Sequence, residues 1–306
     1  MNYSAEIVEK LKGVVRGEIR ANVPMKRFCT MKVGGPADAM LVPADSDDLA
    51  IALDMADKEK WPCVVIGAGS NVIVGDYGIE GLVVLVRGVM DDIEVKDEIV
   101  ECGAGLSMNR LAHIAARNEL EGLEWAVSIP GTVGGSVVCN AGAFGSEMAD
   151  SVVEAKIRLA GGKIETRDKK KLGFVYRGSK VAAGAIVLEV VMELKKGERK
   201  LIEKRMKEFI EKRKSSQPLR EPSAGSIFRN PKGLSAGKII DELGMKGMRR
   251  GKAKISDIHA NFIVNTGDAA AKDVIGLIRE IRQIVKTKRG VLLEPEVRII
   301  GREERA

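Results

Sequence analysis

The chain has 306 residues, 45% of them hydrophobic and 30% charged, enough apolar content for about two packed domains. Lys and Arg number 50 against 43 Asp and Glu, and the resulting net charge of +7 favours anionic partners. Aromatic residues make up only 4%, with no zinc-finger spacing, helix-turn-helix pattern or basic-aromatic stripe, so a nucleotide-sized anion fits better than a nucleic acid.

In chain order, residues 4–12 read as an amphipathic helix, 37–42 as a strand, and Ser46 as the cap of a helix reaching residue 59. Residues 63–66, 82–86 and 93–102 read as strands. A helix is predicted over 107–118, with Leu106, Leu111, Ile114 and Ala115 on one face. Residues 151–159, 163–166 and 185–194 read as an antiparallel sheet, followed by a charged helix over 198–214 that buries Leu201, Ile202, Met206, Phe209 and Ile210. The polar linker SSQPLREPS marks a domain boundary. Beyond it a smaller α+β unit carries a helix over 235–243, a strand over 261–264, a long helix over 268–286 and a closing strand over 297–300.

Cys29, Cys63, Cys102 and Cys139 lie far apart without a CxxC pair, which argues against a disulfide framework or a thiolate metal site and implies core thiols in a reducing compartment. The N-terminus has no apolar signal region and no window approaches a membrane span, so a cytoplasmic protein is expected, with no metal and no membrane partner.

Two glycine-rich stretches stand out: Gly67-Ala68-Gly69-Ser70-Asn71, after an apolar strand, and SIPGTVGGSVVCNAGAFG over residues 128–145. Bare backbone of this kind suits turns with φ > 0 and concave N–H nests for phosphate oxygens. A glycine cluster can also be only a loop, but two beside strand-like runs suggest one extended, diphosphate-bearing ligand. The first is not a dinucleotide fingerprint, because Val72 stands where GxGxxG needs its third glycine and residues 72–81 read as strand and turn rather than helix. A P-loop fails because no Gly-Lys pair precedes Ser or Thr.

The ordered motifs GAGSNV, SIPGTVGG, NAGA, YRGS, AGSIFRNP, HANFIVN and EPEVRIIG together resemble the UDP-N-acetylenolpyruvoylglucosamine reductase family over nearly the whole chain. The resemblance implies an α+β fold: a two-subdomain FAD-binding part of the vanillyl-alcohol-oxidase or PCMH type (about 31–196), then a C-terminal α+β substrate-binding domain. The expected boundaries are 1–88 and 89–214 for the FAD-binding subdomains and 215–306 for the last domain. By the same resemblance Gly67, Ala68, Gly69, Ser70 and Asn71 cradle the FAD diphosphate. Ser128, Pro130, Gly131, Thr132, Gly134, Gly135, Asn140, Ala141 and Gly142 line the flavin and its phosphates. With only His113 and His259 in the chain, and Asn71 ending the first turn, the FAD is expected to be non-covalent.

The implied activity belongs to peptidoglycan precursor synthesis: NADPH reduces FAD, and the flavin then delivers hydride to the enolpyruvyl methylene carbon of a UDP-sugar substrate. Charge develops as an enolate, which needs a preorganised cation and hydrogen-bond donors. Arg177 and Glu296 match the residues that stabilise it, Ser226 the proton donor, and Asn230 a substrate contact. Each has a blander reading: Arg177 as a solvated cation, Ser226 as a turn cap, Glu296 as a partner of Arg298, and His259 as a capping or core histidine.

No tyrosine loop fits between Arg177 and Ser226, so the chain resembles the short type of the family. Lys214, Gln217, Arg220, Arg249 and Arg250 are then candidates for the substrate diphosphate, although Arg249, Arg250 and Lys252 could equally form a solvated basic face. A monomer is expected. The alternatives are an FAD oxidase of the same fold acting on an alcohol or sugar, and a non-enzymatic nucleotide- or nucleic-acid-binding protein.

Overall fold

The computed structural model describes residues 3–181 and 184–302. Two compact units emerge, each built from several chain segments. The first comprises Met1–Ala21, Ala39–Ala68 and Gly81–Lys212; the second comprises Asn22–Asp38, Gly69–Glu80 and Arg213–Ala306. The last change of unit falls two residues before the linker boundary expected at 214/215, whereas the N-terminal part is interleaved rather than consecutive.

The first unit has two cores. In one, the helices Ser4–Leu11 and Ser46–Glu59 put Ile7, Leu11, Leu49, Ala52 and Leu53 against Leu41, Leu82 and Val84 of strands, with Trp61 closing the cluster. Strand Cys63–Ile66 runs parallel to Ile79–Leu85, in register from Cys63↔Leu82 to Ile66↔Leu85. The Ser46–Glu59 helix is capped not by Ser46 but by Asp45, whose carboxylate accepts from Asp47 N and Asp48 N. Both are good caps, and tertiary placement chose the earlier one. Asp48 is fully buried and accepts from the backbone of Arg16, Gly17 and Ala44. Burial opposes its charge, yet these three donors hold its carboxyl below the usual range.

The second core of this unit lies under a five-stranded antiparallel sheet ordered Ile164–Asp168, Val152–Arg158, Ile186–Glu193, Ile99–Gly103, Ile93–Lys96. The expected single strand over 93–102 is a hairpin, turned at Asp97 with φ 53. The helix Met108–Arg117, capped by Ser107, packs Leu111, Ala112 and Ala115 into this core. Helix Arg199–Ser216 buries Ile202 and Met206, whereas Leu201 is 49% exposed, contrary to the spacing. Burial pushes the Cys63 and Cys102 thiols up to about 12 and Cys29 to about 11, so they remain protonated core thiols at neutral pH.

The second unit is built on a four-stranded antiparallel sheet ordered Ser223–Ser226, Phe262–Asn265, Ala253–Ile255, Arg249–Arg250. Helix Ala271–Arg289 covers it with Val274, Leu277, Ile278, Ile281 and Val285, joined by Met31, Val33 and Ile73 from the N-terminal segments. Strand Val72–Val74 pairs in parallel with Arg298–Ile300. Among the described residues, no helix is long and apolar enough to cross a membrane and no His, Cys, Asp and Glu group could hold a metal ion.

Candidate functional site

In the first unit the end of strand Cys63–Ile66 meets the second glycine-rich stretch. A Cβ on Gly67 would lie 2.4 Å from Thr132 Oγ1, so Gly67 is glycine because Thr132 occupies the space. Thr132 in turn caps a helix, Val133–Cys139, its hydroxyl accepting from Gly135 N at 3.4 Å. The glycines read as suited to turns, and no helix was expected within residues 128–145. A Cβ on Gly134 would lie 2.7 Å from Ala104 Cβ, so Gly134 serves close helix packing, whereas Gly135 meets only Thr132 Oγ1 at 3.4 Å and opens outward. The stretch before the helix is held by Met108 N donating to Gly131 O at 3.0 Å and Ser128 N donating to Asn109 Oδ1 at 3.1 Å, with Ser128 itself at φ 66 and Pro130 between them.

Asn140 ends the helix in the left-handed region, φ 44, and is fully buried. Its Oδ1 accepts from Ala149 N and its Nδ2 donates to Val175 O, both at 3.0 Å. Both ends of the amide are therefore engaged with backbone, and Asn140 fixes the turn that carries Arg177. That turn is tight: Val175 and Gly178 exchange backbone hydrogen bonds at 2.9 and 3.0 Å. Arg177 sits at φ 56, donates from Nη2 to Gly142 O at 2.8 Å, and has its guanidinium carbon 5.2 Å from the Tyr176 ring centre. Ala141 precedes Gly142 and donates to Ser136 O at 2.9 Å, tying this run to the helix. A non-glycine residue in this region stores strain, a feature that clusters at functional sites.

In the second unit Gly69 takes φ 63, and a Cβ there would lie 2.1 Å from Phe28 O. Its carbonyl accepts from Thr30 N at 3.0 Å. The N–H groups of Gly69 and Ser70 donate to no acceptor among the described residues, and Gly69 is buried. Backbone donors of this sort, without a partner in the protein, suit an external acceptor. Asn71 ends the turn by donating from Nδ2 to Glu296 O at 3.2 Å, and its own carbonyl accepts from Arg298 N at 3.0 Å. Glu296 N donates to Ile227 O at 2.8 Å, immediately after Ser226. Within this unit the Asn71 side chain ties the first glycine turn to the Glu296 main chain, and the Glu296 N–H ties it to Ile227, the neighbour of Ser226. Ser226 closes its strand opposite Phe262, after Gly225 at φ 76.

Asn230 is exposed, and its Oδ1 accepts from Ala236 N at 3.0 Å at the start of helix Ala236–Glu242. His259 accepts from Asn261 N at 3.2 Å and meets Phe262 edge-on, and burial lowers its proton affinity; it is the capping histidine expected. Of the diphosphate candidates, Gln217 accepts from Arg213 Nε and Nη2, and Arg249 and Arg250 lie on the edge strand farthest from Ser226. Two further residues were not singled out from sequence. Asn261 pairs both amide ends with Phe228, at 3.0 and 2.8 Å, and Asn265 bonds Gly267, Ala269, Met31 and Lys32. Their only sequence signal is the position of two asparagines around an apolar strand.

Residues 37–167 match a family model described as an FAD binding domain, and residues 217–300 match one for the C-terminal domain of UDP-N-acetylenolpyruvoylglucosamine reductase. A UDP-N-acetylenolpyruvoylglucosamine reductase of Symbiobacterium thermophilum is 43% identical over 298 residues, 96% of this chain and 97% of that one. The chain belongs to the UDP-N-acetylenolpyruvoylglucosamine reductase family.

A Bacillus subtilis member is 40% identical over 97% of this chain and 98% of its own. The solved reductase of Thermus caldophilus superposes with a TM-score of 0.79 at 37% identity, covering 93% of this chain and 99% of that one. The fold is therefore an FAD-binding part followed by the reductase family's C-terminal domain, as expected.

Taken unit by unit, the residues present fit parts of such a cofactor: in the second unit the N–H groups of Gly69 and Ser70, which meet no acceptor among the described residues, suit phosphate oxygens, and in the first Gly135 leaves open space beside a helix start. Gly67→Ala should lower flavin content at least tenfold and destabilise the protein by about 1–3 kcal/mol, because Thr132 is held in place. Gly135→Ala should leave the thermal midpoint within a few degrees while weakening FAD uptake, since the added methyl meets only Thr132 Oγ1, at 3.4 Å. Flavin absorbance per chain and thermal unfolding report both, and normal flavin content in both variants would remove these glycines from the cradle.

Proposed function

We propose that this chain is an FAD-dependent reductase that uses NADPH to convert UDP-N-acetyl-3-O-(1-carboxyvinyl)-glucosamine to UDP-N-acetylmuramate in peptidoglycan precursor synthesis, acting in the cytoplasm. The observation that carries this reading is the full-length likeness to reductases of this name, with YRGS, AGSIF and EPEVR in place. It favours the reductase over an oxidase, since relatives matched over nearly their whole lengths bear the reductase name.

The bound FAD would take hydride from NADPH and pass it to the enolpyruvyl carbon. Gly67 to Asn71 would hold its diphosphate, and the stretch from Ser128 to Gly142 would line it. Arg177, rigidly presented in a strained turn, would balance the negative charge that develops on the substrate carboxylate and enolate. Asn140 would act through the Arg177 turn. Ser226 would give its proton to the carbon next to the one that receives hydride, and Glu296, tied to Ile227, would orient or polarise that group. Asn230 would contact the substrate from the start of its helix. The division into residues 1–88, 89–214 and 215–306, and a monomeric state, belong to the same proposal.

The test is spectroscopic. The purified chain should be yellow or take up FAD, bleach with NADPH under anaerobic conditions, and recover its colour when the enolpyruvyl UDP-sugar is added. Bleached flavin that ignores the UDP-sugar and reoxidises rapidly with oxygen would overturn the reading in favour of an oxidase.

A further inference from the structure

His259 has no part in the proposed chemistry, yet it stands at the base of the strand pair that carries Ser226. The turn over residues 256–262 is closed by fully buried Ser256, whose hydroxyl accepts from Ile258 N at 3.1 Å, and by Phe262 N, which donates to His259 O at 3.0 Å. Inside this turn Asn261 N donates to His259 Nδ1 at 3.2 Å. That bond leaves the ring proton on Nε2, because Nδ1 accepts only in the neutral imidazole. The ring is also packed from two sides. It meets Phe262 edge-on with centres 4.9 Å apart, and helix Ala236–Glu242 lies so close that a Cβ on Gly237 would come within 3.3 Å of Cε1.

Asn261 passes this constraint on. Its carbonyl accepts from Ile227 N at 2.8 Å, and its side-chain amide accepts from Phe228 N at 3.0 Å and donates to Phe228 O at 2.8 Å. Ser226 pairs opposite the next residue, Phe262. Residues 226, 227 and 228 therefore all take their places from Asn261 and Phe262. Asn261 is buried, so a bond lost there leaves a donor that water does not readily satisfy. Burial has the largest effect on the imidazole and lowers its proton affinity. Of the charged groups around it, Lys246 opposes protonation and Asp241 favours it, and these two pair with each other at 2.7 Å; Asp257, on the same turn, pairs with Lys254.

We infer, on the proposed role of Ser226 as proton donor, that His259 is its positioning residue: neutral Nδ1 locks Asn261 against the 226–228 strand end, and protonation of Nδ1 in mild acid unlocks it. A protonated Nδ1 would face the Asn261 N–H donor to donor, so the ring or the turn must move. Because burial favours the neutral ring, the lock holds at and above the ordinary histidine value of about 6.5, and opens as the pH falls through the lower value of the folded protein.

The chain has only two histidines, so NMR of the imidazole nitrogens reads each of them, with His113→Gln to assign the signals. His259 should appear as the Nε2–H tautomer and titrate below an exposed histidine. In the FAD-loaded chain, kcat for the enolpyruvyl UDP-sugar should fall about tenfold or more on the acid side with KM nearly unchanged, while flavin reduction by NADPH does not follow this limb. His259→Asn sets an amide oxygen where Nδ1 stands and does not titrate, so it should keep most of the neutral-pH rate and lose the acid limb. His259→Leu, which has no acceptor, should lower kcat about tenfold at every pH. Should that variant fail to fold, His259→Asn against the wild type still decides. An Nδ1–H tautomer, titration at or above the ordinary value, an acid limb unchanged in His259→Asn, or wild-type kcat in His259→Leu would each overturn the inference alone. A wild-type chain whose reduced flavin ignores the UDP-sugar would overturn the proposed function and this inference together.

Discussion

Ser226→Ala is expected to lower turnover of the enolpyruvyl UDP-sugar by about 10²–10⁴ while flavin reduction by NADPH stays intact. The variant should fold, because Ser226 lies at a half-exposed strand end opposite Phe262, where alanine fits the backbone without moving its neighbours. Removing the hydroxyl then removes only the proton. A hydroxyl is a weak acid in water, so its setting matters: Glu296, whose N–H donates to Ile227 O, keeps a carboxyl-bearing residue fixed beside the strand. Anaerobic stopped-flow absorbance separates the two half-reactions. Loss of flavin reduction together with turnover would show that Ser226 supports cofactor binding instead, and full retention of both would remove it from the chemistry.

The second large effect concerns charge. Arg177→Ala should reduce kcat by about 10²–10³, the range seen when one preorganised stabiliser of a developing oxyanion is lost. Arg177→Lys should recover only part of that, because an ammonium lacks the planar fork with which Arg177, already donating to Gly142 O, would also engage the substrate carboxylate. The left-handed backbone at this position, φ 56, offers a control. Arg177→Gly relaxes the turn and removes the charge together, so it should be at least as stable as Arg177→Ala and no more active. If all three variants kept wild-type kcat with a raised KM, Arg177 would be a binding residue only.

Much of the fold was legible because its long elements repeat their apolar residues at helical or strand spacing. The Met108–Arg117 helix buries Leu111 and Ala115 as its spacing predicts, although Ile114 is only half-buried, and the Ala271–Arg289 helix forms about where residues 268–286 read as helical. What was missed has local causes. The Val133–Cys139 helix carries two glycines in its first turn, which propensity reads against a helix; its close approach to Ala104 requires a residue without a side chain at Gly134. The hairpin over 93–103 turns on Asp97, an acceptable left-handed residue but a weaker signal than Asn-Gly. Of the site, the glycine turns were legible as motifs. What the asparagines hold was not, because Asn140, named only as a flavin-lining residue, reaches Val175 across 35 positions, Asn261 reaches Phe228 across 33, and side-chain bonds to distant backbone leave no periodic trace. Glycine density itself misled in part: Gly67 and Gly69 are small to admit Thr132 and Phe28, neighbours in the same chain, before any ligand is considered.

The interleaving of chain segments bears on how the protein is made. Ile73, Met31 and Val33 leave the ribosome well before the residues they pack with, since the core they complete consists mainly of residues 224–297, and strand Val72–Val74 finds its parallel partner only when Arg298–Ile300 has been synthesised. Until then, those earlier apolar side chains have no permanent home and must be held by transient collapse or by chaperones. The Ser4–Leu11 and Ser46–Glu59 cluster has all its main partners within the first 86 residues and can form much sooner. Maturation should therefore be limited by the emergence of residues 298–300 from the exit tunnel, and premature termination near residue 290 should be far more damaging than the small fraction of chain it removes.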